Sequence, residues 1–262
     1  MPPKLKNLKL EIRKNIAYIT LNRPKHLNVF DTETLNELEK TLISLENNAK
    51  VKVVCLLSDH DKVFTAGANI KEMNANNVIE AKHFAELGHR IAQKLETMPQ
   101  PVIVGINGYA LGGGVEFACA CDIRIASERA VLSQPEIDIG IIPGWGGTQR
   151  LARIVGPGKA KELIYTGKRI NAEEAFEIGL VNMVVPADKL NEAVKEMAET
   201  IASKGKIALF EAKKAINQVS QSPLDVGLRF EIESWSTLFE TYDQKEGMGA
   251  FLEGRKPIFK DK

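Results

Sequence analysis

A chain of 262 residues with 44% apolar and 26% charged content can bury a sizeable core, in one large domain or in one domain plus an appendage. Its 35 basic and 34 acidic residues leave a net charge of +1, which argues against a global electrostatic pull towards nucleic acid or an anionic membrane. No apolar run approaches the roughly 18 residues of a membrane span, and Met1-Pro-Pro-Lys-Leu-Lys6 carries no leader pattern, so a cytoplasmic protein is expected.

The chain opens with alternating Leu8-Lys-Leu-Glu-Ile-Arg13, a Lys14-Asn15 turn and Ile16-Ala-Tyr-Ile-Thr-Leu21, which together predict a β-hairpin. After the polar loop Asn22 to Asn28, Asp31 is positioned to cap a helix whose Leu35, Leu38, Leu42 and Leu45 recur at helical spacing. Val51 to Leu57 is apolar but for Lys52 and reads as a strand covered on both faces. Val63-Phe64 leads into a small-residue turn, Thr65 to Lys71. The next helix, 77–97, carries Phe84, Leu87, Ile91 and Leu95 on one face, read as core. Met98-Pro-Gln-Pro101 stops that helix.

Val102-Ile-Val-Gly-Ile106 then feeds Asn107-Gly-Tyr-Ala-Leu-Gly-Gly-Gly-Val-Glu116, which reads as strand, tight loop and helix start. Glycines admit a ligand close to the backbone, and the first N–H groups of a helix are unpaired, so such a loop suits a negative oxygen. Helix is expected over 115–121, followed by short strands at 122–126 and 130–132. A second carboxylate, Glu136, precedes another glycine turn, Ile142-Pro-Gly-Trp-Gly-Gly147. Strands alternating with helices predict an α/β core with a parallel sheet.

Beyond Thr148 helices dominate: 149–155, 157–165 and one capped by Asn171 with Glu174 three residues on. Val181 to Val185 is the last expected strand, and from Ala187 the pattern is helical with breaks near Gly205 and Ser222-Pro223. Core and appendage are accordingly divided into residues 1–199 and 200–262. Cys55, Cys119 and Cys121 lie in apolar runs, an odd set that points to a reducing compartment. Four histidines show no metal-ligand spacing, so no metal site is expected.

Asn22-Arg-Pro, Thr65-Ala-Gly-Ala-Asn-Ile-Lys-Glu-Met73, the Asn107 to Glu116 loop, Gln134-Pro-Glu136, and Ile142 to Arg150 together resemble the ordered motif set of the enoyl-CoA hydratase (crotonase) family. Glu246 to Phe251 and Arg255 to Lys260 extend the likeness to the C-terminal end. The resemblance implies a spiral of ββα units followed by a helical trimerisation region. It also implies homotrimers or dimers of trimers, acyl-CoA thioester substrates, and no cofactor beyond the substrate's own CoA.

By position in the motifs, Ala68 and Gly113 match the backbone N–H groups of the family's oxyanion hole, Glu116 and Glu136 its acid–base pair, and Gly144 an N–H that helps place water. Charge developing on a thioester oxygen during water addition calls for two fixed donors, and acid and base must serve one face of the substrate. Glu116 is assigned to the water and Glu136 to the proton delivered to carbon. A structural ion pair of Glu116 with Arg124 or Arg150 is the plain alternative. CoA is expected along Lys25, His26, Leu27, Ala66, Ala68, Asn69, Ile70 and Lys71. Tyr109, Leu111, Gly112, Gly113 and Trp145 are expected among the substrate contacts, Trp145 beside the acyl pocket, and Phe259 and Lys260 match a C-terminal pair of the family that can reach CoA.

Two departures stand out: Asn69 where the family commonly has Asp, and Trp145 where many hydratases have a small residue. The indole is expected to shorten the acyl pocket towards crotonyl, 3-hydroxybutyryl or 3-hydroxypropionyl groups. Retention of both glutamates favours hydration over the isomerase and other acyl-CoA branches. The balanced charge argues against an RNA-binding relative.

Overall fold

The computed structural model describes residues 5–262; Met1–Lys4, which begin the segment read for a leader, lie outside the described residues. β1 (Leu8–Arg13) and β2 (Ile16–Leu21) form the expected hairpin, with Arg13 opposite Ile16. Lys14 and Asn15 both take positive φ, 47° and 68°, which is the twist a two-residue hairpin turn requires. Asp31 caps α1 (Thr32–Glu46) by accepting from Thr34 N at 2.9 Å, and the four predicted leucines are buried.

From there the chain winds as a spiral. β3 (Val53–Ser58) adds parallel to β2, and β4 (Val63–Thr65) starts a second sheet. The short α2 (Ile70–Ala75) and long α3 (Val78–Thr97) close that turn. β5 (Val102–Ile106) and β6 (Tyr109–Leu111) repeat the step, one strand to each sheet, before α4 (Gly113–Ala120). β7 (Ile123–Ser127) and β8 (Val131–Ser133) repeat it again, and α5 (Gly147–Val155) and α6 (Pro157–Thr166) follow. β9 (Ile170–Asn171), α7 (Ala172–Glu177) and β10 (Met183–Val185) complete two sheets of order β1-β2-β3-β5-β7-β10 and β4-β6-β8-β9. This is the α/β spiral of ββα units that the resemblance implied.

Several expected boundaries shift. β3 starts at Val53 rather than Val51, β6 and β9 were not anticipated, and α4 starts at Gly113, so two of the loop glycines are helical. Asn171 caps α7 through Glu174 N as expected, but the Glu174 carboxylate turns to Lys168 instead of closing a capping box. The complete box is Asn77 with Glu80, at the start of α3.

The main core lies between the sheets and α1, α3 and α4, with Phe30, Phe64 and Phe117 fully buried. α8 (Leu190–Ala202) covers the opposite face of the six-stranded sheet, setting Leu190, Val194 and Ala198 on Ile16, Val53, Ile103 and Ile125. It runs continuously through the 199/200 division, and the break in helix falls at Ser203–Gly205. α9 (Lys206–Asn217), α10 (Leu224–Thr237) and α11 (Tyr242–Leu252) follow. Lys213 ties α9 to the core, its Nζ donating to Leu95 O, Gln100 O and Asp122 Oδ2. The tail folds back on α11, where Asp243 accepts from Lys260 N and Asp261 N. Among the described residues no helix is long and apolar enough to cross a membrane.

Candidate active site

Glu116 stands at the fourth position of α4, a helix buried along its whole length, and is 2% exposed. A carboxylate there is tolerated only with partners. They come from the second glycine turn: Oε1 accepts from Trp145 N and Gly147 N, each at 2.7 Å. Neither arginine pairs with it. Arg124 is spent on the carbonyls of Leu180 and Cys121, and Arg150 on Glu96, so the structural ion pair is absent. Burial pushes the Glu116 carboxyl above its usual range, opposed by the N–H groups of Gly147 and Trp145, the Arg150 charge and the Gly144 N–H.

The loop before α4 is built for donation. Gly112 adopts φ 51° and ψ −120°, and a Cβ there would lie 2.8 Å from Oε1 of Glu136. Its carbonyl accepts from Val115 N, Glu116 N and Nε2 of Gln134, at 2.8, 3.1 and 2.9 Å. That carbonyl belongs to the same peptide plane as the Gly113 N–H, so three donors on one end fix and polarise the other.

Ala68 reaches the same place from another strand end. Phe30 and Ala68 form a parallel bridge in which Phe30 N donates to Gly67 O and Asn69 N donates to Phe30 O. The bridge uses the groups on either side of Ala68 and passes over its own N–H. An ideal Cβ on Gly67 would meet Leu111 O at 2.6 Å and Gly113 N at 3.5 Å, so the two loops touch main chain to main chain. Among the described residues neither Ala68 N nor Gly113 N donates to a protein acceptor.

Glu136 follows Pro135 at the start of a single 3-10 turn, Glu136–Ile139, and its buried Oε2 has no protein partner. Burial first, and the Glu116 charge second, push its carboxyl up to about 7. Glu116, Glu136, Ala68, Gly113 and Gly144 line one cavity of about 460 Å³, together with Ile70, Gly112 and Trp145 from the expected substrate contacts. Met73, Phe84, Ile139, Ile141 and Ile142 make the rest of its wall mainly apolar. Such a cavity suits an acyl group whose reacting carbons must meet two carboxyls and two N–H donors.

Trp145 is 3% exposed and wedged in this wall. Its ring stacks on Phe117 at 5.1 Å between centroids and 12° between planes, and touches Phe30 and Phe84 edge-on or tilted. Ideal Cβ atoms on Gly88 and Gly113 would lie 2.2 and 2.3 Å from its ring, so a glycine of α3 and the first residue of α4 form its slot.

The other expected CoA contacts are scattered. Lys25 and His26 line a second cleft of about 460 Å³ with Lys6 and Arg23. Leu27 takes φ 51° and its carbonyl accepts from Ala66 N, which ties that cleft's loop to the loop of Ala68. The Asn69 side chain caps α2, accepting from Lys71 N and Glu72 N. Lys71, Tyr109 and Leu111 do not line the acyl cavity, and neither do Phe259, set against Gly247, or Lys260, whose Nζ lies 4.3 Å from the Tyr242 ring. Phe84, read from its spacing as core, is buried in the core and also forms part of the cavity wall; Asn76, Ile139 and Ile141 were not singled out, and Met73 and Ile142 were named only as the ends of motifs. Helical spacing shows which side chains share a face but not that the face borders a cavity. Among the described residues no cluster suited to a metal is present.

This geometry matches known proteins over almost the whole chain. A sequence model described as enoyl-CoA hydratase/isomerase matches residues 11–262. The short-chain-enoyl-CoA hydratase of Clostridium acetobutylicum is 46% identical over 252 residues, 96% of this chain and 97% of that one. The crotonyl-CoA hydratase of Syntrophomonas wolfei is 44% identical over 253 residues, 97% of each. A crystal structure of enoyl-CoA hydratase from Bacillus anthracis superposes with a TM-score of 0.95 at 43% identity, covering 98% of this chain and 100% of that one. With its motifs, spiral fold and near-complete matches in agreement, the chain belongs to the enoyl-CoA hydratase/isomerase family.

Proposed function

We propose that the protein catalyses the reversible hydration of short-chain trans-2-enoyl-CoA thioesters to 3-hydroxyacyl-CoA. The observation that carries this reading is the pairing of two carboxyls, Glu116 and Glu136, both raised by burial, in one apolar cavity with the unspent N–H groups of Ala68 and Gly113. The names of the Clostridium and Syntrophomonas relatives support the short chain and the direction of chemistry.

In this reading the thioester oxygen accepts from Ala68 N and Gly113 N, which stabilise the enolate-like charge as water adds; one such donor is typically worth about 2.7–4 kcal/mol. Glu116, held on one oxygen by two N–H groups, takes a proton from water while the hydroxyl bonds to the β-carbon. Glu136, whose carboxyl is pushed up to about 7 by burial and the Glu116 charge, holds a proton near neutral pH and delivers it to the α-carbon. One proton enters the pair and one leaves, so exchange between the two resets it. The Gly144 N–H helps place the water. The step uses no group other than these residues and the substrate's own CoA, whose phosphates fit the basic cleft of Lys25 and His26.

Exposed Ile216, Val219, Leu224, Trp235, Phe251 and Leu252 on the C-terminal helices support a homo-oligomer, a trimer or a dimer of trimers. Three free, buried cysteines support a reducing, cytoplasmic setting. The test is to mix the protein with crotonyl-CoA and follow loss of the conjugated thioester absorbance with identification of the product. Formation of 3-hydroxybutyryl-CoA is expected; a shifted double bond, free CoA or no reaction would overturn the reading.

A further inference from the structure

The cavity that holds the carboxyls is closed at one side by Phe84, and the same residue lines a separate surface groove of about 510 Å³. Asn76 is the only other residue common to both. The groove is otherwise walled by α1, α2 and α3, through residues such as Asn36, Glu72, Glu80 and Arg90. Phe84 and Asn76 are therefore the side chains that face both the acyl cavity and the groove.

The two sides of Phe84 are unequal. Its ring rests at 5.4 Å and 56° on Trp145, which is itself held between Gly88 and Gly113 and stacked on Phe117. Trp145 has no room to turn in that slot. The other side of Phe84 borders the open groove. Ala81 and Ala85, three residues before and one after, line the same cavity with small side chains, so Phe84 supplies the bulk of this face of α3.

We propose that Phe84 is the acyl-chain stop, with Trp145 as its fixed backing, and that removing its ring joins cavity and groove into a channel through which a long acyl chain can pass. This rests on the enoyl-CoA hydration reading for its substrate class, and it moves the length-setting role expected of Trp145 to a side chain that had been read as core. The chain's end would leave the protein between α1 and α3 rather than back through the entrance.

The test is the ratio of kcat/KM for trans-2-dodecenoyl-CoA to that for crotonyl-CoA in wild type, Phe84→Leu, Phe84→Ala and Phe84→Trp. The ratio should rise at least about tenfold in Phe84→Ala, a step comparable to relieving one or two methylene clashes, rise less in Phe84→Leu, and fall in Phe84→Trp. Phe84→Leu keeps a buried apolar group and guards against an Ala variant that does not fold. Calorimetric binding of saturated dodecanoyl-CoA reads the same stop without turnover, so an absence of hydration would count against the function while leaving the stop measurable. Folded Phe84→Leu and Phe84→Trp proteins with the wild-type ratio, or with wild-type dodecanoyl-CoA binding, would overturn the proposal.

Discussion

Trp145 donates its main-chain N–H to Oε1 of Glu116 at 2.7 Å while its indole is clamped in the wall of the same cavity. One residue thus fixes a carboxylate by its backbone and shapes the acyl site by its side chain. Any shift of the indole is felt at Glu116.

The glycine slot makes the first prediction. Gly88→Ala would set a methyl 2.2 Å from Cδ1 of the Trp145 ring, and should destabilise the protein by about 1–3 kcal/mol through overpacking. In a Trp145→Ala background the same change should cost much less, because its clashing partner is gone. Urea unfolding of the four proteins gives the coupling. Additive losses would show that α3 accommodates the methyl by moving as a whole.

The pH dependence follows from Glu136, whose folded carboxyl titrates near 7 against 4.5 ordinarily. A raised carboxyl means that the folded state holds a proton the unfolded state has released, so stability falls as pH rises from 4.5 to about 7 and is level above that. Glu136→Gln should therefore be more stable than wild type above pH 7, by on the order of 1–3 kcal/mol, with the gap closing below pH 4.5. In the wild type, hydration turnover should decline as pH passes upward through about 7, because the proton donor is lost. Thermal unfolding and kcat across that window check both.

A third prediction concerns the C-terminal helices. Lys213 is 8% exposed and meets Asp122 Oδ2 at 2.8 Å, an oxygen that also accepts from Val102 N at 2.7 Å. Lys213→Met should cost about 1–3 kcal/mol by stranding the partly buried Asp122 carboxylate and two carbonyls. Asp122→Asn added to it should recover part of that loss. Equal stability of the Lys213→Met protein in denaturant titration would mean that water replaces the ammonium.

How much of this was legible in the sequence depends on how local the cause is. The hairpin, the Asp31 cap and the Asn77 start of α3 are set by residues a few positions apart, and each was readable. The site glutamates were readable because both stand beside glycine turns in motif order. β6 and β9 are two or three residues long and exist only because neighbouring strands pair with them, so no periodicity could announce them. The Trp145 slot joins Gly88 to Gly113 across two helices, and Phe84 acquires a cavity on one side only once α3 has docked. Asn69, expected along the CoA path, also caps its own helix through its side-chain oxygen, a local role the motif comparison did not reveal.

The most direct measurement is kcat for crotonyl-CoA in Glu116→Gln, Glu136→Gln and the double variant. Gln keeps the shape and one acceptor but cannot exchange a proton, so each single change should lower kcat by about 10²–10⁴-fold. The double variant should lose less than the product of the two, as expected for groups that act as a unit. Near-wild-type turnover in both folded single variants would contradict the assignment of this pair to the chemistry.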